Sequence, residues 1–268
     1  MAPSAPAPGP SAGASAVRER VTGGPVPLAL HAEWQERFPW LVQGMTARGD
    51  AADRFDLSLF GTGATGPVMG RWEVLGARLG FRVLAHGRQV HGSTVRLHEV
   101  RSPGLHVAPA TDGHVTARAG VLLTVSAADC VPIFLVDPER RAVAALHGGW
   151  RGIAAGILEA GLAVLGERLA SSPADLHMHL GPAICGGCYE VGPEVHQALG
   201  LGTGLAAVSR PTPVDLRTVL VGRAVAAGVS PDRITRSELC TLCGDSPFFS
   251  HRGGDAERQV GFIGVRDP

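Results

Sequence analysis

Three short apolar stretches at the centre of the chain, VLLTV at 121–125, VPIFLV at 131–136 and AVAAL at 142–146, decide the predicted fold. Each is rich in β-branched and aliphatic residues and is bounded by turn-forming residues, which is the pattern of buried strands. A helical pattern follows over 152–169, with its apolar residues on one stripe. Buried strands next to an amphipathic helix predict a sheet with helices packed against it.

Outward from this centre, helical and strand patterns remain interspersed. The further predicted elements are helices over 68–79, 193–199 and 215–227, and strands over 81–85, 93–100, 176–180 and 259–265. Asp215 is the expected N-cap of the last helix, because its carboxylate can accept hydrogen bonds from free backbone N–H groups. Since strands and helices do not alternate strictly, we predict an α+β fold with a mixed β-sheet core flanked by helices.

Length and N-terminal composition predict one domain preceded by a tail. A chain of 268 residues is long enough for a single domain with a substantial core. Residues 2–16 are all Ala, Pro, Ser or Gly, so we predict a disordered tail over 1–27 and a single catalytic domain over 28–268. The start lacks the features of a secretory signal, and no run approaches the ~18 apolar residues of a membrane span. We therefore expect a cytoplasmic protein, either a monomer or a small homo-oligomer.

The charged residues exclude several classes of function. The 24 acidic and 24 basic residues cancel, so neither nucleic acid nor a membrane surface is expected as a partner. All 24 basic residues are arginine, and asparagine is also absent from the sequence. Without lysine the chain cannot contain a Walker-type phosphate loop, a pyridoxal Schiff base or a lysine nucleophile. An anionic substrate would be bound by arginine or by backbone amides.

Three side chains at the ends of predicted strands are candidate metal ligands, namely His91, Cys130 and His147. Each adjoins a glycine or a turn, where side chains from different strands can converge. Zinc binds imidazole nitrogen and thiolate sulfur together, and three protein ligands with a fourth open position form its catalytic arrangement. The 38 and 16 residues between the ligands make spacing alone a weak signal. Cys130 could instead be a small buried core residue.

Five segments resemble, in the same order, the motifs of the laccase-domain family, also called the polyphenol oxidase or peptidoglycan-editing-factor family. They are QVHG at 89–92, SAADCVPIFLVD at 126–137, HGGWRGIAAGIL at 147–158, GPAICGGCYEVGPEV at 181–195 and CTLCGDSPFFSHR at 240–252. The resemblance covers the chain from about Val42 onward. It implies a YfiH-like single-domain fold in which His91, Cys130 and His147 bind catalytic zinc, with copper the less favoured ion.

The resemblance also implies a zinc-dependent purine nucleoside phosphorylase. Such an enzyme cleaves adenosine, inosine or methylthioadenosine with phosphate and also deaminates adenosine, so its partners are a purine nucleoside and phosphate. The further candidate site residues are Asp129 and Arg151 as catalytic residues, and Arg71, Gln89, Tyr189, Phe249 and Arg252 as substrate or phosphate ligands. Arg151 lies in a glycine-rich turn expected to precede a helix, where backbone amides favour an anion. Structural interpretations compete with these roles: a surface ion pair for an arginine, a turn cap for Asp129 and a core position for Phe249.

Three positions depart from the family pattern. Gly148 stands where the family usually has alanine, Asp56 where it has an asparagine, and Gly70 where it has the asparagine of an Asn-Arg pair. Only Arg71 of that pair carries over. The His-x-Glu and Pro-Cys-x-x-Cys signature of nucleobase deaminases is also absent, so adenosine deamination would use a different ligand set.

The same residues allow other functions. Cys130 could be a nucleophile with His147 as its base, giving a cysteine hydrolase or amidase that acts on peptidoglycan precursors. Alternatively, the chain could bind a nucleoside without turning it over. A copper laccase requires several His-x-His pairs, whereas this sequence has the single pair His177 and His179, which we expect on a partly exposed strand face.

Two Cys-x-x-Cys pairs, Cys185/Cys188 and Cys240/Cys243, make up the rest of the five cysteines. Four thiolates can hold a structural zinc ion. However, the 51 residues between the pairs exceed the ~15–20 typical of a zinc ribbon. Cysteines in the wall of the substrate pocket, or cysteines sensitive to oxidation, are equally open interpretations.

Overall fold

The computed structural model describes residues 14–50, 54–61, 64–201 and 211–267. Within these ranges the strands are β1 (Ser15–Val17), β2 (Arg20–Thr22), β3 (Leu28–Leu30), β4 (Leu41–Thr46), β5 (Val83–Gly87), β6 (Val95–Leu97), β7 (Gly104–Ala108), β8 (Gly113–Thr116), β9 (Val121–Ala127), β10 (Val131–Asp137), β11 (Ala142–Gly148), β12 (His177–Leu180), β13 (Glu190–Val191), β14 (Thr212–Pro213), β15 (Ile234–Ser237) and β16 (Gln259–Val265). The helices are α1 (Ala32–Arg37), α2 (Thr65–Leu79), α3 (Trp150–Ala154), α4 (Ile157–Leu169), α5 (Pro193–Leu199) and α6 (Leu216–Ala226).

Most of the strands form two seven-stranded sheets. The first sheet has the order β1-β15-β12-β10-β11-β8-β6, and the second has the order β2-β3-β4-β16-β9-β5-β7. Both sheets are mixed: in the first, for example, β10 and β11 are antiparallel neighbours, whereas β12 and β15 run parallel. The chain passes directly from β9 in the second sheet to β10 in the first. The connecting residues 128–130 therefore lie where the two sheets meet.

Apolar side chains fill three layers around these sheets. Between the sheets, Leu123 and Val125 of the second pack with Phe134 and Val143 of the first. Helices α4 and α6 cover the other face of the first sheet. Helix α2 packs through Trp72 on the other face of the second sheet. Each fully buried large apolar side chain contributes about 1.5–3 kcal/mol, so the strand ends that carry polar residues are held on a rigid frame.

The predicted α+β class is confirmed, and the central strands agree closely with the structure. The stretches at 121–125, 131–136 and 142–146 become β9, β10 and β11, each longer by one or two residues. Asp215 is the N-cap of α6, and its carboxylate accepts a hydrogen bond from the backbone N–H of Arg217. Strands β1 to β4, β7, β8, β13, β14 and β15 and helix α1 were not predicted.

The continuous helix predicted over 152–169 is wrong, because the structure has two helices there. Helix α3 ends at Ala154, and α4 begins at Ile157. Between them Gly156 has a left-handed backbone (φ 85°, ψ 36°), which cannot continue a right-handed helix. Arg151 consequently lies inside a five-residue helix rather than ahead of a long one.

The tail predicted over 1–27 lies partly outside the described residues, which begin at residue 14. From there the structure differs from the prediction, because β1 pairs with β15 and β2 pairs with β3. Glu19 between these strands is buried, and its carboxylate accepts hydrogen bonds from His179 Nε2 (3.0 Å) and Ser237 Oγ (2.7 Å). Local composition could not indicate this partner set, since both residues lie more than 150 positions away.

The sequence predicted that the His-x-His pair lies on a partly exposed strand face, and this prediction is wrong. His177 and His179 are both buried. The ring of His177 contacts Phe38, and the ring of His179 contacts Trp34 of α1. Within the described ranges, no helix is both long and apolar enough to cross a membrane.

Candidate metal centre and its cavity

A loop, a connection between strands and a strand end bring the predicted ligands together at the meeting point of the two sheets. His91 lies in the loop after β5 of the second sheet, Cys130 ends the connection from β9 to β10, and His147 lies near the end of β11 in the first sheet. One ligand atom of each side chain lies within 4.8 Å of the other two. The rings of His91 and His147 meet edge to face, with centroids 4.8 Å apart. A single cation between them could contact all three side chains.

The backbone at the site is held in a sparsely populated conformation. His91 (φ 59°) and Asp129 (φ 83°) both have left-handed backbones, which are uncommon for residues other than glycine. Such conformations persist only where surrounding contacts enforce them, and they concentrate at functional sites. The strain therefore falls on one metal-ligand candidate and on the residue that precedes another.

Asp112 supplies the contacts that enforce the conformation around His91. Its carboxylate accepts backbone hydrogen bonds from Val90 (3.0 Å), His91 (2.9 Å) and Gly92 (3.1 Å). The same carboxylate lies 2.9 Å from Nδ1 of His147. Burial raises the pKa of Asp112, but the hydrogen bond to His147 and those from the backbone outweigh burial and lower it. Asp112 is thus a charged acceptor that positions two of the three ligands.

The contact with Asp112 also selects which nitrogen of His147 is free. Because Nδ1 faces the carboxylate, Nε2 is the atom available to a cation. A carboxylate behind a histidine ligand fixes its tautomer and its ring orientation, which is the usual arrangement at zinc sites. The donor set therefore fits a resident metal ion.

Charge couples Cys130 to His147. Burial raises the pKa of the Cys130 thiol, but the charge of His147 and the hydrogen bonds from His147 and His91 outweigh it and lower the pKa to about 6. Burial lowers the pKa of His147, whereas the charge of Cys130 and the hydrogen bond to Asp112 raise it to about 9. The thiolate is the form that coordinates metals. The surroundings of Cys130 therefore favour its metal-binding form.

Gly149 leaves the space in which the three side chains converge. A Cβ at this position would lie 2.9 Å from Cδ2 of His91, 3.1 Å from Sγ of Cys130 and 3.6 Å from Cε1 of His147. The backbone of Gly149 (φ −75°, ψ 155°) is accessible to any residue. Glycine is required here by the ligand side chains and not by the backbone.

A cavity of about 390 Å³ opens beside the three ligands. This volume is within the range of small-molecule sites. The other described residues that line it are Ser58, Leu59, Phe60, Gly61, His86, Gly87, Gln89, Ser126, Ala127, Ala128, His251, Ala256 and Arg258. The wall therefore combines an aromatic ring, two further histidines and a guanidinium group around a candidate metal centre.

Gln89 is the member of the predicted substrate ligands that lies on this wall. Both ends of its amide bond the backbone of Ser126: Nε2 donates to the carbonyl (2.9 Å), and Oε1 accepts from the N–H (2.6 Å). These bonds hold the loop of His91 against β9. In this arrangement Gln89 shapes the wall, and its hydrogen-bonding groups face the protein.

Three other predicted residues, Asp129, Tyr189 and Arg252, form a group next to Cys130. The Arg252 guanidinium stacks over Tyr189 (5.2 Å). The Asp129 carboxylate accepts hydrogen bonds from the Arg252 backbone N–H (2.7 Å) and the Thr241 hydroxyl (2.6 Å). Burial raises the pKa of Tyr189 to about 12, and the charges of Cys130, Arg252, Asp129 and Arg151 also act on this pKa. The group adjoins the metal centre but is not part of the described cavity lining.

The remaining three predicted residues, Phe249, Arg71 and Arg151, are also not among the described residues that line the cavity. Phe249 is fully buried, and the guanidinium groups of Arg54 and Arg48 lie over its ring, so no ring face is open to a substrate. Arg71 lies on α2 and is not among the described lining residues. Arg151 is exposed and stacks on Trp150, with 4.3 Å from its guanidinium carbon to the ring centroid.

Sequence reasoning missed Asp112, Phe60 and Arg258. Asp112 stands in a Thr-Asp-Gly sequence that indicates only a turn, and its function depends on contacts with residues 20 to 35 positions away. Phe60 carried a usable signal, since an aromatic ring in a Gly- and Ser-rich loop has no predicted core to join. It is 58% exposed.

The chain resembles known proteins in both sequence and fold. The model of the family described as multi-copper polyphenol oxidoreductase laccase matches residues 48–266. Purine nucleoside phosphorylase YlmD of Geobacillus stearothermophilus is 35% identical over 197 residues, which are 67% of this chain and 71% of that protein. Adenosine deaminase RL5, from an unknown prokaryotic organism, is 34% identical over 180 residues, which are 62% of this chain and 68% of that protein.

The fold has close counterparts among solved structures. The crystal structure of YlmD from Geobacillus stearothermophilus superposes with a TM-score of 0.84 at 28% sequence identity. The superposition covers 93% of this chain and 100% of that one. The likeness in fold therefore extends over most of the chain.

Proposed function

From the premise that this chain belongs to the laccase-domain family, we propose that it is a zinc-dependent purine nucleoside phosphorylase. Its substrates would be adenosine, inosine or methylthioadenosine together with phosphate, and it would also deaminate adenosine. The observation that carries the proposal is the convergence of His91, Cys130 and His147 beside a cavity of about 390 Å³. Relatives named purine nucleoside phosphorylase and adenosine deaminase support the two activities.

The proposed metal ion is zinc, held by His147 Nε2, Cys130 Sγ and one ring nitrogen of His91. Mixed nitrogen and sulfur ligands with an open fourth position suit catalytic zinc. When bound, the ion supplies Lewis acidity and lowers the pKa of a bound water to about 7. Asp112 orients His147 and fixes the loop of His91, and Gly149 keeps the space between the ligands free of a side chain. Copper, named in the family description, is the less favoured ion, because a multicopper oxidase needs several histidine pairs for its further copper ions, whereas this cluster of described residues offers two imidazoles and one thiolate.

Substrate binding is assigned to the cavity wall and to arginine. Phe60 presents an exposed ring on which a purine can stack. Because the chain has no lysine, phosphate would be bound by guanidinium groups. Arg258 on the described wall is one candidate, and Arg151 and Arg252, whose backbone N–H donates to Asp129, are others.

The cellular setting is part of the same proposal. The five cysteines are all unpaired, which is typical of a reducing compartment. We propose a cytoplasmic enzyme that acts on soluble nucleosides as a monomer or a small homo-oligomer.

The test is a phosphorolysis assay with a matched site variant. Purified protein, inosine and phosphate should yield hypoxanthine and ribose 1-phosphate, and Cys130→Ala should abolish the products. A chelator should abolish activity, and added zinc should restore it. Adenosine should in addition yield inosine. Tight nucleoside binding without any product would instead indicate a binding module.

A second candidate rests on the Cys130–His147 pair. A thiol with a pKa near 6 beside an imidazole is also the arrangement of a cysteine nucleophile and its base. A cysteine hydrolase acting on peptidoglycan precursors would lose activity with iodoacetamide and be indifferent to chelators. Iodoacetamide sensitivity that persists in fully active, metal-stripped protein would favour this candidate.

A further inference from the structure

A second group of four cysteines lies outside the His91–Cys130–His147 centre. The sulfur atoms of Cys185, Cys188, Cys240 and Cys243 all lie within 4.8 Å of one another. Cys243 Sγ is 3.4 Å from Cys185 Sγ and 3.2 Å from Cys188 Sγ. None of the four thiols is in a disulfide. Four thiols at such close range could all bind one metal ion.

Sheet topology explains how the two Cys-x-x-Cys pairs meet despite their separation in sequence. Strands β12 and β15 are parallel neighbours, with Leu180 opposite Arg236. Parallel strands end at the same edge of a sheet, so the loops that follow them leave side by side. Cys185 lies in the loop after β12, and Cys240 in the loop after β15. Strand pairing therefore brings the two Cys-x-x-Cys pairs together, although their separation in sequence argued against a zinc ribbon.

The size of the group matches one tetrahedral cation. Four thiolates at about 2.3 Å from zinc stand about 3.8 Å from one another, which agrees with the sulfur spacing here. An iron–sulfur cluster needs thiolates spread further apart, because its inorganic core stands between them. The 3.4 and 3.2 Å from Cys243 Sγ to the sulfurs of Cys185 and Cys188 exceed the ~2.05 Å of a disulfide bond, and all four cysteines are free.

Backbone N–H groups support the charge that such a site carries. Cys240 Sγ accepts hydrogen bonds from the backbone N–H of Cys185 (3.2 Å), Leu242 (3.4 Å) and Cys243 (3.4 Å). Donors aimed at a sulfur stabilise its thiolate form, which is the form that binds metal. One of these donors comes from the other loop, so the site is built jointly by both.

We propose that Cys185, Cys188, Cys240 and Cys243 bind a second zinc ion in a closed, all-sulfur structural site. A tetrahedral set of four thiolates is typical of structural zinc, and four protein ligands leave no position for a substrate. The ion fastens the loop after β12 to the loop after β15. The proposal does not depend on the reaction catalysed at Cys130.

The structural site bears on the metal centre through Thr241, which lies between two of its ligands. The Thr241 hydroxyl donates to the Asp129 carboxylate (2.6 Å), and its N–H donates to the carbonyl of Ala183 (3.2 Å). Asp129 directly precedes Cys130 and has a left-handed backbone. Loss of the structural ion would therefore loosen the turn that carries Cys130.

The test separates the two sites by removing the first and examining the second. Cys130→Ala, purified without added metal, should retain one zinc ion per chain by elemental analysis, whatever the wild type holds at the His91–Cys130–His147 centre. X-ray absorption at the zinc edge of this variant should give a shell of sulfur alone at about 2.3 Å. This measurement leaves all four structural cysteines intact, so it does not depend on whether their variants fold.

A second variant removes a ligand of the four-cysteine site and leaves Cys130 intact. Cys243→Ser, at the most exposed of the four positions, should lower the zinc content of the full chain by one ion and lower the thermal midpoint. In Cys130→Ala, a zinc content near zero, a shell containing nitrogen, bound iron or a disulfide among the four cysteines would each overturn the proposal. Activity enters none of these readouts, so failure of the proposed reaction would leave the result intact.

Discussion

The carboxylate of Asp112 lies 2.9 Å from Nδ1 of His147 and also receives the backbone N–H of His91. One buried acidic side chain thus positions two candidate ligands that are 56 residues apart in sequence. The third ligand, Cys130, enters from a different turn. The geometry of the centre depends as much on Asp112 as on the ligands.

Asp112→Asn should weaken metal binding by about 10- to 100-fold, the usual cost of losing a carboxylate behind a histidine ligand. The amide keeps one acceptor oxygen but lacks the negative charge and can present N–H to His147. Zinc affinity is measured by competition with a chromophoric chelator. The matched control is Asp137→Asn, a buried carboxylate at the opposite end of β10 that accepts backbone N–H groups. Equal affinities in both variants would contradict the positioning role of Asp112.

Gly149→Ala should reduce zinc affinity while leaving the fold intact. The added methyl group would press on the side chains of His91 and Cys130, although the backbone at 149 accepts alanine. Affinity and thermal midpoint are measured together, because only the first should fall markedly. Gly70→Ala is the matched control: its Cβ meets nothing within 4 Å in α2, and it should stabilise the helix by about 0.5–1 kcal/mol. Unchanged zinc affinity in Gly149→Ala would show that the ligands have more room than the structure gives them.

Phe60→Ala should raise the KM for inosine about tenfold with a smaller change in kcat. Stacking of a base on an aromatic ring contributes about 1–3 kcal/mol, and the exposed ring of Phe60 lies on the cavity wall. Phe60→Trp should retain binding because it keeps a ring. Leu201→Ala removes another exposed apolar side chain and serves as control. The stacking role is refuted if alanine and tryptophan at position 60 give the same KM.

Acid should destabilise the fold below a pH of about 6.5. Burial lowers the pKa of His31 to about 3 and those of His98 and His177 to about 4, whereas an unfolded histidine titrates near 6.5. Between these values the unfolded chain binds protons that the folded chain excludes, so the free energy of unfolding falls as pH falls. Above about pH 6.5 these histidines are uncharged in the unfolded chain as well, so their burial no longer lowers the free energy of unfolding.

The variant His177→Phe tests this dependence at one residue. A phenylalanine ring fits the edge contact with Phe38 and cannot take up a proton. The free energy of unfolding in urea should then change with pH less steeply, by up to about 1.4 kcal/mol per pH unit between about pH 6 and pH 4.5. Parallel pH profiles for the variant and the wild type would mean that His177 accepts its proton within the folded protein.

The central strands and the fold class were predictable because their signal is local. Long apolar runs such as 131–136 are buried on both faces and need no partner to be recognised. Strands β1 and β2 have three residues each and are mostly exposed, so their existence depends on pairing with distant strands. The break at Gly156 also has a local cause, but glycine occurs in helices as well, and α4 itself contains two.

The candidate ligands could be named from the family resemblance and not from their spacing. Spacing fails because His91, Cys130 and His147 belong to a loop, a connection between strands and a strand of different sheets, and only the crossing between the sheets brings them together. Residues that position the ligands are harder still to identify from the sequence, since Asp112 acts through backbone contacts that leave no motif. A motif also does not show which of its residues are buried: the motif of Phe249 suggested a position in the pocket, but the ring lies in the core.

Strand order has a consequence for how the molecule is made. Strand β16 lies between β4 and β9 in the second sheet, and β15 lies between β1 and β12 in the first. A ribosome must therefore pass residue 265 before β4 and β9 gain β16 as their shared partner, and until then each of these two strands has one open hydrogen-bonding edge. Synthesis halted near residue 230 would leave both sheets unfinished. Such a fragment is expected to aggregate, and chaperones that hold the nascent chain should increase the yield of native protein.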